Sequence, residues 1–254
     1  MGGAVVLDLT FFLIAVPAVL FAGISKGGFA SGAAFAATPL LALILEPEQA
    51  VALMLPLLMV MDVGAMKAFW RKWSRHEARL LMLASLPGLA LGAVFFRAAD
   101  PDLFRLLIGV VAVAFVAFQL ARQTGLLRPL RRPMGPVGGT IAGVAMGFTS
   151  FVSHAGGPPA SVYMLSRPLD KTTFQATSVI VFWLVNLLKV PPYAALGLFS
   201  SQMFVAIVIL APVALAGVWL GYRLHNKVPE KLFFGLTYVF LLATGAKLIF
   251  DALS

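Results

Sequence analysis

Two glycine-rich segments carry the residues that could bind a ligand. Residues 23–32 read GISKGGFASG and residues 149–159 read TSFVSHAGGPP. Glycine tolerates the backbone angles that end one helix and start another, and proline suits the first turn of a new helix. Both segments therefore predict an interrupted helix beside a cavity near the middle of a membrane. The residues expected to bind substrate there are Ser25, Lys26, Gly27, Gly28, Ser31, Gly32, Ser153, His154, Gly156 and Gly157.

The chemistry of these segments is electropositive. Free N–H groups at each new helix start carry roughly half a positive charge, and Lys26 and His154 add ionisable groups. Serine hydroxyls at Ser25, Ser31, Ser150 and Ser153 add donors for a compact oxyanion with several oxygens. The segments contain no carboxylate, so we expect an anion to be stabilised there and a cation to meet no counter-charge.

Some of these residues have alternative interpretations. Lys26 could be a lysine that snorkels from the end of the first span to the interface. His154 could carry a coupled proton, or it could be a neutral histidine that bonds exposed carbonyl groups beside the break. Glycines spaced four residues apart could serve close helix packing alone, and this is the favoured explanation for Gly88 and Gly217.

The composition indicates a membrane protein. Of the 254 residues, 61% are apolar and 11% are charged, which leaves too little polar surface for a soluble domain. The net charge of +9 falls between the apolar stretches, as in cytoplasmic loops, so no nucleic-acid partner is expected. With no cysteine and three histidines, no metal or other cofactor is predicted.

The apolar stretches form two groups. We predict segments at 5–23, 30–45, 49–66, 79–96 and 103–121, and at 137–152, 158–166, 173–190, 202–222 and 232–251. A basic hinge at 122–136 separates a first membrane repeat at 1–121 from a second at 137–254. The segment at 158–166 is too short to span, so we expect an all-α polytopic fold of eight to ten membrane segments, including half-depth helices.

Internal similarity and charge predict inverted repeats. At an offset of 129 residues, Gly88 and Gly92 correspond to Gly217 and Gly221, although chance similarity in a chain rich in Leu, Ala and Gly is the alternative. Placing the basic loops in the cytoplasm makes each half cross an odd number of times, which inverts the second half and puts both termini outside. Asp62 and its counterpart Asn186 lie toward the ends of spans, and we interpret both as interfacial anchors.

At these residues the sequence resembles the sulfite exporter TauE/SafE family, whose repeats open with a Gly-rich stretch leading into a helix with a proline followed by aliphatic residues. Residues 27–32 followed by TPLL at 38–41 look like the first copy, and HAGGPP at 154–159 looks like the second. Ser31-Gly32-Ala33-Ala34 stands where members often show three consecutive glycines, so a bulkier lining could alter which anion fits. The resemblance implies a multi-pass membrane protein that transports sulfite, or organosulfonates such as sulfoacetate, across a bacterial inner membrane.

The resulting hypothesis is a secondary transporter that works by rocking of two repeats around a midplane site. The chain has no phosphate-binding loop motif, so active transport would use an ion gradient or a partner. A passive anion channel is the first alternative. An intramembrane hydrolase with Ser153 and His154 as nucleophile and base is disfavoured because adjacent helical residues point about 100° apart. The expected partners are a small anion and the lipid bilayer, with a homodimer as one alternative for the oligomeric state.

Overall fold

The computed structural model describes residues 6–28, 33–126, 133–224 and 230–254. Within these ranges it contains helices and no strand, which confirms the all-α prediction. The helices are α1 (Leu9–Gly28), α2 (Ala37–Leu41), α3 (Pro47–Phe69), α4 (Arg75–Ala98), α5 (Pro101–Gln123), α6 (Pro136–Ser153), α7 (Gly157–Leu165), α8 (Lys171–Ala195), α9 (Ser201–Leu224) and α10 (Glu230–Leu253). A 3-10 turn at Ala33–Ala36 leads directly into α2.

Helix length separates the spanning elements from two short ones. Within the described parts of the chain, eight helices are long and apolar enough to cross a bilayer. The two others, α2 with 5 residues and α7 with 9, are too short because a span needs about 20. The chain is therefore a multi-pass membrane protein of eight to ten membrane segments, as predicted.

Local sequence explains where the helices start. Ser74, Asp100 and Asp170 cap α4, α5 and α8, since each side chain accepts a bond from a backbone N–H of the first turn. Hydrogen bonds from Thr173 hold the pKa of Asp170 below its usual value. Proline occupies the first turn of α3, α5, α6 and α7, where a missing N–H leaves no bond unmade.

The loops gather at two chemically different ends. At one end, Ser74 N donates to Thr177 Oγ1 of α8 over 3.0 Å, and Met134 N donates to Ser166 Oγ in the loop after α7 over 3.1 Å. We call this the basic end, after Arg71, Lys72, Arg75, Arg79, Arg122, Arg167 and Lys171. The opposite or acidic end gathers Asp8, Glu46 and Asp251 around a cavity of about 670 Å³. The cytoplasmic location of the basic end remains a prediction.

Packing interleaves the two halves of the chain. Among the described residues, the most extensive helix contacts are α4 with α6, α1 with α9, α5 with α10 and α3 with α8. A Cβ added to Gly88 would lie 2.1 Å from the Val144 carbonyl oxygen, and one on Gly217 would lie 2.6 Å from that of Leu20. Glycine is thus required for backbones to meet. The packing role predicted for Gly88 and Gly217 is confirmed.

Candidate functional site

The second predicted break lies where the sequence indicated. Helix α6 ends at Ser153, and His154 adopts the left-handed conformation with φ of 57°. Gly156 then precedes the first turn of α7, which begins at Gly157 and turns back as a short helix. Pro158 and Pro159 have no N–H, and Ala160 N donates to the Gly156 carbonyl oxygen over 3.3 Å, so the backbone N–H that the start of α7 offers next to His154 is that of Gly157.

Helix α1 is longer than the predicted first segment. It continues through Lys26 and Gly27 to Gly28, so the prediction that this segment ends at residue 23 is wrong. The cause is contact with α9, because a Cβ on Gly27 would lie 2.1 Å from the Val218 carbonyl oxygen and the helix is held against that backbone. Structure is described again from Ala33, and Ser31 and Gly32 lie outside the described residues.

A small cavity, the inner cavity, lies where these segments meet α3 and α8. It has a volume of about 60 Å³. Its polar lining comes from Ser25, Lys26, Asp62, Ser150, His154, Ser161, Gln175, Ser178 and Asn186. Ala34, Phe35 and Gly157 also border it, so the first turns of both short helical segments face one space. Of the predicted substrate-binding residues, Ser25, Lys26, His154 and Gly157 line this cavity.

The other predicted residues within the described ranges lie outside the inner cavity. Gly27 and Gly28 press on α9, where a Cβ on Gly28 would lie 2.3 Å from the Gly221 carbonyl oxygen. Ser153 is buried and donates to the Thr149 carbonyl oxygen over 3.1 Å. Gly156 lies against the turn of α6 around Ser150. In this conformation these residues make packing contacts with neighbouring helices.

Lys26 and Asp62 form an ion pair in the inner cavity. The Lys26 Nζ donates to Asp62 Oδ1, and Asn186 Nδ2 donates to Asp62 Oδ2 over 3.0 Å. Asp62 is 1% exposed and Asn186 is 3% exposed, so their interpretation as interfacial anchors is wrong. Both are buried because α3 and α8 pack face to face. The pairing also argues against a snorkelling Lys26.

The expectation that a cation would meet no carboxylate is wrong as well. Asp62 comes from α3, which is distant in sequence from both glycine-rich segments, and it lines the inner cavity. Its charge is opposed by Lys26 in direct contact. The cavity therefore contains a compensated carboxylate beside the groups that favour an anion.

Lys189 is a second buried lysine, and sequence reasoning missed it. Its side chain is fully buried, and Nζ lies 3.0 Å from the Ser150 carbonyl oxygen, 3.2 Å from Ser150 Oγ and 2.7 Å from His154 Nδ1. The Lys189 amine can donate to the Ser150 carbonyl oxygen and to His154 Nδ1, while the Ser150 hydroxyl can either donate or accept. Lys189 stands three residues after Asn186, on the same helix face, and this spacing was the available signal.

His154 uses both ring nitrogens within the protein. Nε2 lies 2.8 Å from the Val51 carbonyl oxygen, which only accepts, so Nε2 is assigned the proton. Nδ1 is then the acceptor for Lys189. This arrangement agrees with the alternative of a neutral histidine that satisfies a carbonyl beside the break.

Two buried polar atoms at the inner cavity have no hydrogen-bond partner among the described residues. They are Ser25 Oγ and Gln175 Oε1. The Gln175 side-chain amide itself donates to the Lys26 carbonyl oxygen over 3.3 Å, which fixes its orientation. Buried polar groups normally find partners, so these two atoms are available to a ligand or to water.

A larger cavity of about 540 Å³ opens at the basic end. It shares Ser161 and Gln175 with the inner cavity. The acidic-end cavity, by contrast, shares no described lining residue with the inner cavity. The cations at this basic-end cavity are Arg122, Arg167 and Lys171, and its aromatic lining includes Phe115, Phe118, Phe174 and Phe234. An anion entering from the basic end would meet these cations before it reaches Lys26.

The chain matches the family described as sulfite exporter TauE/SafE over residues 15–248, which includes both breaks and the inner cavity. The chain belongs to the sulfite exporter TauE/SafE family. It matches no curated protein and no solved structure. Membership of the TauE/SafE family indicates a multi-pass membrane transporter of sulfur-containing anions rather than an enzyme.

Proposed function

We propose that the protein is a secondary transporter that carries sulfite or an organosulfonate across a bacterial inner membrane by alternating access through the inner cavity. The observation that carries this proposal is the inner cavity itself. Lys26, the partnerless Ser25 hydroxyl and the start of α7 at Gly157 border one buried space, with Lys189 behind His154. Each of these groups favours an oxyanion.

The two connected cavities support a substrate with a compact charged head. The inner cavity of about 60 Å³ has room for a group the size of a few water molecules. The adjoining cavity of about 540 Å³ is lined by aromatic rings and could hold an organic tail. We therefore expect the oxygens of a sulfonate to face Lys26 and its carbon chain to extend toward Ser161. Sulfite would be the smallest ligand of this class.

The closed side of the inner cavity supports alternating access. Between this cavity and the acidic end, His154 bonds the Val51 carbonyl oxygen, and the buried Tyr193 donates to that of Phe151. This conformation would face the basic end, and a second would open past those contacts. Because helices of the two halves interleave, each moving body would combine helices from both halves, in place of one repeat rocking against the other.

Reciprocal packing supports the inverted duplication. Helix α1 packs on α9 and helix α4 packs on α6. If α6 is the counterpart of α1 and α9 the counterpart of α4, a twofold relation exchanges these two contacts. The breaks after α1 and after α6 would then face the inner cavity from opposite sides.

Transport in proteoliposomes tests the proposal. We expect saturable uptake of radiolabelled sulfite or sulfoacetate, accelerated by the same unlabelled anion trapped inside. The double variant Lys26→Met/Asp62→Asn removes the buried pair without leaving an unpaired charge and should abolish uptake. The matched control is Lys247→Met/Asp251→Asn, which removes an exposed pair and should leave uptake unchanged. Flux that neither saturates nor shows counterflow would favour a channel and contradict the proposal.

A further inference from the structure

The presence of Asp62 in a cavity suited to anions requires an explanation. Its carboxylate lines the same space that we propose for the substrate and contacts the same ammonium group, Lys26. A carboxylate that served only to hold Lys26 in place would repel the substrate. The Lys26–Asp62 pair therefore affects the binding of the anion directly.

Lys26 is the cation that an incoming anion can reach. The donors of Lys189 point at Ser150 and His154, which leaves none directed into the inner cavity. Lys26 contacts Asp62 with one donor, and its side chain is 14% exposed. An anion in the inner cavity thus shares the Lys26 ammonium with Asp62 or takes it over.

Two anions on one buried ammonium cannot both stay charged. When two acidic groups share a poorly hydrated site, the repulsion between them is relieved by protonation of one of them. A sulfonate is the conjugate base of a strong acid, so the proton goes to the carboxylate. The Asn186 amide, which donates to Asp62 Oδ2, can keep this bond after protonation, because the carbonyl oxygen of the neutral Asp62 acid still accepts.

We propose that Asp62 takes up one proton when an anion binds Lys26, so that anion and proton occupy the inner cavity together. This inference rests on the proposed function. An O–H bond forms at the Asp62 carboxylate while the bond to that proton breaks in a hydronium ion or a buffer acid at the open end of the cavity, and no bond of the anion breaks. For a monoanion, the net charge of the site is the same when empty and when loaded.

Among the described groups around the inner cavity, Asp62 is the one whose protonation state can change without breaking hydrogen bonds within the protein. The titratable and charged groups facing it are Lys26 from α1, Lys189 from α8 and His154 from the end of α6. His154 has both ring nitrogens bonded, and Lys189 has its donors engaged. Among the described lining residues on the other elements there is no further titratable side chain.

Calorimetry with methanesulfonate measures the proton directly, because this anion has no group that titrates near neutral pH. The ligand is titrated into detergent-purified protein in Tris and in bicine, two buffers of different ionisation enthalpy that carry no sulfonate. The buffer-dependent part of the heat gives the protons taken up. We expect about one per anion in the wild type, with affinity falling about tenfold per pH unit as the pH rises. Asp62→Asn should bind with no proton uptake, and the exposed control Asp251→Asn should behave as wild type.

The outcomes separate this inference from the proposed function. If neither methanesulfonate nor sulfite binds the wild-type protein, the proposed function fails. If the anion binds the wild type without proton uptake, the inference alone is overturned, and this result needs no variant. Proton uptake that persists in Asp62→Asn but is lost in His154→Gln would also overturn it and assign the proton to His154.

Discussion

Lys189 is fully buried, yet its amine contacts only neutral acceptors, on Ser150 and His154. Among the described residues no carboxylate contacts this amine, so a proton on Lys189 would place a positive charge behind His154, next to the inner cavity. In that charge state the residue would act on a ligand that it does not touch.

Replacing Lys189 should therefore weaken anion binding from a distance. At an effective dielectric constant of about 20, one nearby positive charge is worth on the order of 2 kcal/mol, or more than tenfold in affinity. We expect Lys189→Met to raise the dissociation constant of methanesulfonate by at least that factor in a thermal-shift titration. Lys247→Met, on the exposed surface, should leave it unchanged. Equal constants for Lys189→Met and the wild type would show that Lys189 is uncharged.

At the residue scale, the sequence predicted those residues of the candidate site that lie close to one another along the chain. Ser25, Lys26, His154 and Gly157 line the inner cavity because helix breaks are encoded by glycine and proline within a few positions. Asp62 and Lys189 come from the middle and end of uninterrupted helices. The packing of α8 against α3 and against the end of α6 brings them inside, and a single sequence does not reveal those contacts.

At the scale of helices, small residues determine how closely α4 and α6 approach. Gly88 meets the carbonyl of Val144, and Gly147 meets that of Ser85, where a Cβ would lie 2.2 Å from the oxygen. Such backbone contact cannot be relieved by turning a side chain. Any added atom must push the helices apart.

Gly88→Ala should therefore destabilise the protein by about 1–3 kcal/mol, the usual cost of overpacking. The matched control is Gly235→Ala, since a Cβ there meets nothing within 4 Å in the described structure of α10. That change should be neutral or slightly stabilising because alanine favours a helix more than glycine does. Thermal unfolding in detergent compares the two. A Gly88→Ala protein as stable as Gly235→Ala would show that α4 and α6 are not in backbone contact.

The end of helix α1 could not be predicted from the sequence alone. The glycines of residues 23–32 indicated a break but did not fix its place, and α1 continues to Gly28 because Gly23, Gly27 and Gly28 meet α9. A glycine that breaks a helix and one that lets a helix approach another look alike in sequence. The proline pair at residues 158–159 removed that ambiguity in the second half.

At the scale of the whole molecule, the arrangement of the cavities indicates that the inner cavity is open toward the basic end. Ser161 borders both the inner and the basic-end cavity, and Thr10 borders the acidic-end cavity. The chain has no cysteine, so single cysteines at these positions report on access without a background. Composition and hydropathy predicted the membrane fold, whereas the side that is open depends on contacts distant in sequence, such as His154 with Val51.

Labelling with a membrane-impermeant thiol reagent tests this asymmetry. In oriented vesicles, Ser161→Cys should react from the side of the basic end and Thr10→Cys from the other. Methanesulfonate should slow the reaction of Ser161→Cys and leave that of Thr10→Cys unaltered. If Ser161→Cys reacts equally fast from both sides, the resting protein is not closed toward the acidic end.

The interleaved packing has a consequence for biosynthesis. Helices α1 and α4 leave the ribosome before α9 and α6 exist, so their glycine faces enter the bilayer without partners. The Lys26–Asp62 bond lies wholly within the earlier half of the chain, and the partners of Lys189 lie wholly within the later half. Each half can therefore be inserted with its buried lysine already hydrogen-bonded, and the apolar glycine contacts can form last.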